Sequence, residues 1–153
     1  MLKHILFTVA IFILNMATSL KAQSNIEITI DHYAINVSDL NGSVDFYQDV
    51  FDLKEIQNGT GLPYIRWFRL GKSAELHIIE VDSLDMKLPK GVHLALAASH
   101  FESFRKRLEA KKISYSDWPG KLQTVSLRPD GIQQIYFQDP DGYWIEVNDA
   151  SSK

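Results

Sequence analysis

Ile28-Thr29-Ile30-Asp31-His32-Tyr33-Ala34-Ile35-Asn36-Val37 alternates along its length and is rich in β-branched residues, so it reads as a strand. Ser38-Asp39 follows as a helix cap. Leu40, Val44, Tyr47, Val50 and Phe51 then recur at helical spacing, which predicts an amphipathic helix ending near Asp52. Three more strands are expected at Leu53–Gln57, Tyr64–Leu70 and Ala74–Val81, separated by the Gly59–Pro63 stretch and by Gly71-Lys72.

Past a polar stretch holding Pro89 and Gly91, the order starts again. Val92–Ala98 reads as a strand, and Ser99-His100-Phe101-Glu102 has the form of a capping box. Phe101, Phe104 and Leu108 share one face of the ensuing helix, with Arg105, Lys106 and Arg107 mostly around it. Strands follow near Ile113–Ser116, Gln123–Leu127, Ile132–Gln138 and Tyr143–Asn148, the last two joined by the turn signal Asp139-Pro140-Asp141-Gly142. Strand, helix and three strands thus occur twice, and the two first-strand histidines, His32 and His93, stand 61 residues apart. This is a duplication pattern, module one being about 26–82 and module two about 91–149. Neither half buries enough surface to be stable by itself, so the two are expected to share one core.

Composition agrees and narrows the chemistry. The 153 residues are 45% hydrophobic and 11% aromatic, enough for a real core and too apolar for disorder. No cysteine is present, which excludes disulfides, thiolate metal sites and cysteine nucleophiles. A formal charge of −3 offers no basic surface for nucleic acid. Residues 1–22 carry Lys3 and Lys21, no acid, a short apolar run from Ile5 to Leu14, and Ala22 as a small residue at the end. That pattern predicts a secretory signal peptide over 1–22, with export to the periplasm or the exterior. An uncleaved anchor over Ile5–Leu20 is the alternative. Cleavage would leave 131 residues at charge −5 with no remaining membrane attachment, and mass spectrometry of exported protein should find Gln23 at its start. A retained Met1 would contradict it.

Alternation also shows which polar side chains share a face. His32 falls with Ala34 and Asn36, His77 with Glu75 and Ile79, His93 with Ala95 and Ala97, and Glu146 with Trp144 and Asn148. Each half therefore offers one ionisable group in its first strand and one in its last. A buried Glu is costly unless a cation or metal accompanies it. Three imidazoles and a carboxylate suit one divalent ion, whether Zn, Ni, Co, Fe or Mn. A single strand histidine is ordinarily a satisfied or surface residue, as is expected of His100. The concentration of three in matching strands is what singles these out.

Asp31–Leu40 with Ser43-Val44-Asp45-Phe46-Tyr47 resembles the opening of the glyoxalase/bleomycin-resistance/extradiol-dioxygenase superfamily, the vicinal oxygen chelate (VOC) fold. Ile135–Val147 resembles its ending, especially that of glyoxalase I. The resemblance spans nearly all of 26–149. It implies an α+β fold in which two βαβββ modules form an open, cupped mixed sheet with flanking helices. It also implies one divalent metal on His32, His77, His93 and Glu146, with Glu75 as the competitor of His77. Four protein ligands leave two positions of a six-coordinate ion for adjacent substrate oxygens, which favours lyase or isomerase chemistry through an enediolate. Glu146 is then the base.

Two other readings stay open. One is a bleomycin-resistance-like binding module, its cup lined by Trp67, Trp144, Tyr64 and Phe68. The other is an extradiol-type dioxygenase, which a fourth ligand disfavours. Arg66, Arg69 and Arg128 are candidates for holding an anionic substrate. The expected partners are a small-molecule substrate and a second copy in a homodimer.

Overall fold

His32–Val37 forms β1, four residues later than the alternating pattern begins. In the computed structural model, which describes residues 26–152, the ladder between β1 and β4 opens with His32 opposite Glu75. Among the described residues no strand lies alongside residues 26–30, and Ile26, Ile28 and Ile30 are 85%, 90% and 75% exposed. The proposed signal segment, 1–22, lies outside the described residues.

Helix α1 spans Leu40–Phe51. The Asp39 carboxylate caps it by accepting from the Gly42 N–H at 3.1 Å, and Asp52 ends it in the left-handed region at φ 55°. Strands β2 (Glu55–Ile56), β3 (Ile65–Leu70) and β4 (Ala74–Glu80) complete the first module. The second repeats the order with β5 (His93–Ala97), α2 (Phe101–Ala110), β6 (Ser126–Leu127), β7 (Gln133–Gln138) and β8 (Trp144–Asn148). A short 3₁₀ turn, Ala150–Ser152, follows.

Two expected features differ. The capping box does not form: α2 starts one residue later, with His100 in the cap position and no side-chain cap bond. The backbone at Ala98 and Ser99 is instead tied to the chain end, where the Ser152 hydroxyl donates to the Ser99 carbonyl at 2.8 Å. The strand expected at Ile113–Ser116 reduces to isolated bridges from Ser116 to Leu122 and Tyr136.

Each module makes its own four-stranded mixed sheet, in the orders β1-β4-β3-β2 and β5-β8-β7-β6. The first and last strands of a module run parallel and the remaining pairs antiparallel. One face of each sheet is apolar and carries Ile35, Val37, Phe68, Leu76 and Ile78, or Ile135, Phe137, Ile145 and Val147. These pack with Val44, Tyr47 and Val50 of α1 and with Phe101 and Leu108 of α2 in one cluster. Phe51 stacks on both Phe104 and Phe137, at 5.4 and 6.0 Å, so aromatic rings join the modules.

A polar clasp adds to that join. In the turn after β7, the Asp139 carboxylate accepts from the Asp141 and Tyr143 N–H groups, and Gly142 takes φ 91°. The turn docks on module one. The Ser38 N–H and hydroxyl and the Ser43 hydroxyl donate to Asp141, and the Tyr47 hydroxyl donates to Asp139 at 2.8 Å. Asn36 N–H reciprocates by donating to the Tyr143 hydroxyl at 3.0 Å. Burial pushes the Asp139 carboxyl above its ordinary value, while the Tyr47 bond pulls it back.

Candidate active site

Strand register makes the two polar faces counterparts. His32 and His93 both open their first strands, and the residue two places on, Ala34 or Ala95, lies opposite His77 or Glu146. Trp67 is the β3 neighbour of His77, and Tyr136 the β7 neighbour of Glu146. The register thus puts His77, rather than Glu75, in the place that Glu146 holds in module two.

On the second sheet these residues form a bonded cluster. Glu146 is 5% exposed, and such a carboxylate must be fully partnered. Its Oε2 accepts from the Tyr136 hydroxyl at 2.7 Å, and its Oε1 from Asn148 Nδ2 at 2.7 Å. Burial, then the bond to Glu146, raises the Tyr136 hydroxyl far above its usual range, so it remains a donor. His93 Nδ1 lies 2.7 Å from the Lys90 carbonyl, which can only accept. The Nδ1 proton is therefore committed, so in the neutral tautomer the lone pair falls on Nε2. That Nε2 sits 3.3 Å from Glu146 Oε2. Two lone-pair-bearing atoms face each other there, an arrangement that calls for a proton or a cation between them.

Lys90 holds the surrounding loop. Its ammonium donates to the Ser116 hydroxyl and to the carbonyls of Asp117 and Trp118, and lies over the Trp144 and Tyr136 rings at 4.8 and 5.5 Å. Trp118 meets Tyr136 and His93 edge to face.

On the first sheet the rings stack. His77 lies between Trp67 at 4.1 Å and His32 at 4.3 Å, with interplanar angles of 5° and 10°. His77 Nε2 also meets Glu75 Oε2 at 3.0 Å, and His32 Nδ1 meets Asp31 at 2.7 Å. An imidazole lone pair lies in the ring plane. Two stacked rings direct theirs along nearly parallel planes, which cannot meet at one ion while the stack persists.

The structure therefore brings the four predicted ligands together as two pairs, His32–His77 and His93–Glu146. Among the described residues no group of three or more His, Asp or Glu side chains is placed to hold a metal. The donor chemistry fits a divalent ion, and both pairs lie on the polar faces. Occupancy of one ion by all four would require His32 and His77 to unstack and the two pairs to converge. Glu75 shares their face and is the competing donor opposite His32.

The three candidate arginines are each committed to a carboxylate, Arg66 to Glu55, Arg69 to Glu75 and Arg128 to Asp130. Of the aromatics expected to line a cup, Phe68 is fully buried in the core and Tyr64 is 45% exposed. Trp67 and Trp144 stand on the polar faces beside the histidines. Between the modules a cavity of about 800 Å³ runs along β5, past the start of β1 and between the facing ends of α1 and α2. His32 is the member of the predicted ligand set that lines it. Alternation already set Asn148 on the face of Glu146, whereas Tyr136 and Lys90, which also shape the site, carry no signal in their own strand or loop. Tyr136 emerges from the register between β7 and β8, and Lys90 from its bonds to Ser116, Asp117 and Trp118.

The chain is similar to proteins of this architecture in both sequence and fold. It is 28% identical over 123 residues to the uncharacterized protein YwbC of Bacillus subtilis, covering 76% of this chain and 94% of that one. It is 27% identical over 135 residues to the metallothiol transferase FosB of Staphylococcus epidermidis, covering 83% and 86%. Lactoylglutathione lyase from Agrobacterium tumefaciens superposes with a TM-score of 0.61 at 22% identity, over 81% of this chain and 95% of that one, a likeness of fold. The sequence profile of the Glyoxalase/Bleomycin resistance protein/Dioxygenase superfamily matches residues 29–147. With its two βαβββ modules and their paired polar faces, the chain belongs to that superfamily.

Proposed function

We propose that this protein is a glyoxalase-type lyase or isomerase that moves a proton between neighbouring carbons of a small carbonyl compound, with Glu146 as the base. The observation that carries this reading is the facing of His93 Nε2 and Glu146 Oε2 at 3.3 Å. Tyr136 and Asn148 hold the carboxylate by one oxygen each, which orients it without neutralising it. Glu146 takes the proton from the carbon beside the carbonyl and returns it to the adjacent carbon, so no external oxidant or reductant is needed. His32, His77, His93 and Glu146 are the residues that would hold a divalent ion. Such an ion would act as a Lewis acid on the two substrate oxygens of the enediolate.

The test is isomerisation of 2-oxoaldehyde–thiol adducts, with catechols and acyl-CoA epimers as comparison substrates. The reading expects isomerisation of the adducts, which a chelator removes and a divalent metal restores. Turnover of catechols alone would contradict it in favour of an oxygenase, and tight ligand binding without turnover would favour a sequestration module.

A further inference from the structure

We infer that Trp118 and Leu122 form an apolar rest for the non-reacting arm of the substrate, which selects an aryl or alkyl arm over an ionic one. This rests on the reading that makes Glu146 the base. Strand pairing lays out what stands beside that carboxylate. Ala95, Glu146, Tyr136, Ser116 and Leu122 are successive cross-strand partners, so their side chains share the polar face in one row. Leu122 ends the row three strand spacings from Glu146, about 14 Å away, and is 66% exposed.

Trp118 lies along the same row. Its ring meets those of Tyr136 and His93 edge to face, with centroids 5.4 and 6.4 Å apart, yet the residue is 50% exposed. A lone exposed apolar side chain is ordinary. This one is held in place beside the reacting pair. The Trp118 N–H donates to the Ser126 hydroxyl at 2.7 Å, and its carbonyl accepts from Lys90 Nζ at 3.2 Å. The Asp117 carboxylate closes the turn by accepting from the Gly120 and Lys121 N–H groups, with Gly120 at φ 103°. A fixed indole offers contact area with little ordering left to lose on binding. The cations that could hold an ionic arm are engaged elsewhere. Arg66, Arg69 and Arg128 each pair with a carboxylate, and Lys90 donates to Ser116 and two carbonyls. Lys121 is the cation of the turn itself, which makes a carboxylate-bearing arm the competing occupant.

Calorimetric titration of the purified protein with two 2-hydroxyacyl thioesters tests this. One is the ester of 2-phenylethanethiol, with an aryl arm, and the other that of 3-mercaptopropionate, with a carboxylate. Both are products of the proposed isomerisation, so their binding is read without turnover. The wild type should bind the aryl ester about tenfold or more tightly than the carboxylate ester. Trp118→Ala should weaken the aryl ester by about tenfold and leave the carboxylate ester unchanged, while Trp118→Phe keeps most of the preference. Comparing two esters on one variant cancels any loss of folded protein. Equal affinity for the two esters, a preference for the carboxylate, or no binding of either would overturn the inference. So would an equal loss for both esters in Trp118→Ala, which would make the indole only a support for His93 and Tyr136. Isomerisation of adducts without the aryl preference strikes this inference and leaves the reaction standing. A preference that depends on Trp118, without turnover of any adduct, upholds the arm site and strikes the reaction.

Discussion

Glu146→Gln should leave the protein folded and lower its isomerase activity by about 10²- to 10⁴-fold, the range associated with loss of a positioned base. The substitution keeps the volume of the side chain. Its amide oxygen can still accept from Asn148 Nδ2 and its amide nitrogen can donate to the Tyr136 hydroxyl, so both neighbours at 2.7 Å retain a partner. What is lost is the capacity to take a proton and the negative charge facing His93 Nε2. Glu146→Ala should behave differently, because it also strands the Tyr136 hydroxyl and the Asn148 amide inside the sheet. Each buried donor left unpaired costs about 1–3 kcal/mol, so Ala, which strands both donors, loses more stability than Gln, which keeps the Asn148 bond. Thermal melts of both variants beside the turnover assay separate the two effects. Full activity in a folded Glu146→Gln protein would remove Glu146 from the mechanism.

Tyr47→Phe is expected to destabilise the fold by about 1–3 kcal/mol at neutral pH, although it deletes one oxygen atom. That hydroxyl donates to Asp139, a carboxylate only 5% exposed at the centre of the clasp between the modules. The pH dependence follows from the direction of the Asp139 shift. Burial raises its folded-state pKa above the unfolded value, with partial relief from Tyr47 and the Tyr143 N–H and a further rise from Asp141. The folded protein therefore binds more protons than the unfolded chain between those two values. Asp139's contribution is most favourable below the unfolded value of about 4 and declines as pH climbs through the folded pKa. Removing the Tyr47 donor raises the folded pKa again. The deficit of Tyr47→Phe should accordingly be largest at neutral pH and shrink below about pH 4, where Asp139 is protonated in either protein. Adding Asp139→Asn to Tyr47→Phe should recover part of the loss at neutral pH. Urea titrations at both pH values check this, and a deficit that does not change with pH would show that ionised Asp139 is not its source.

What could be read from the chain was what is local. The periodicity of Leu40 to Phe51 predicted α1 closely, and alternation placed His32 and His93 on matching faces at the head of matching strands. The duplicated order emerged because each element carries its own period. Local reading failed where a partner decides. Ile28 and Ile30 have ideal strand alternation but no neighbouring strand among the described residues, and Ser99 has cap chemistry but sits on backbone tied to Ser152. The turn Asp139–Gly142 was legible as a turn, while its grip on Ser38, Ser43 and Tyr47 depends on packing about 100 residues away in sequence. The support of Glu146 by Tyr136 likewise depends on register between β7 and β8. Side-chain orientation was equally illegible: a face assignment cannot show that His77 stacks between Trp67 and His32.

The divalent-metal site proposed for this protein is anchored on His93 and Glu146. Metal titration of chelator-treated protein by calorimetry, with elemental analysis of the product, tests it most directly. Uptake of about one ion per chain is expected, accompanied by ring reorientation at His32 and His77, with uptake lost in His93→Ala and in Glu146→Gln. No uptake by the wild type, or equal uptake by both variants, would contradict it.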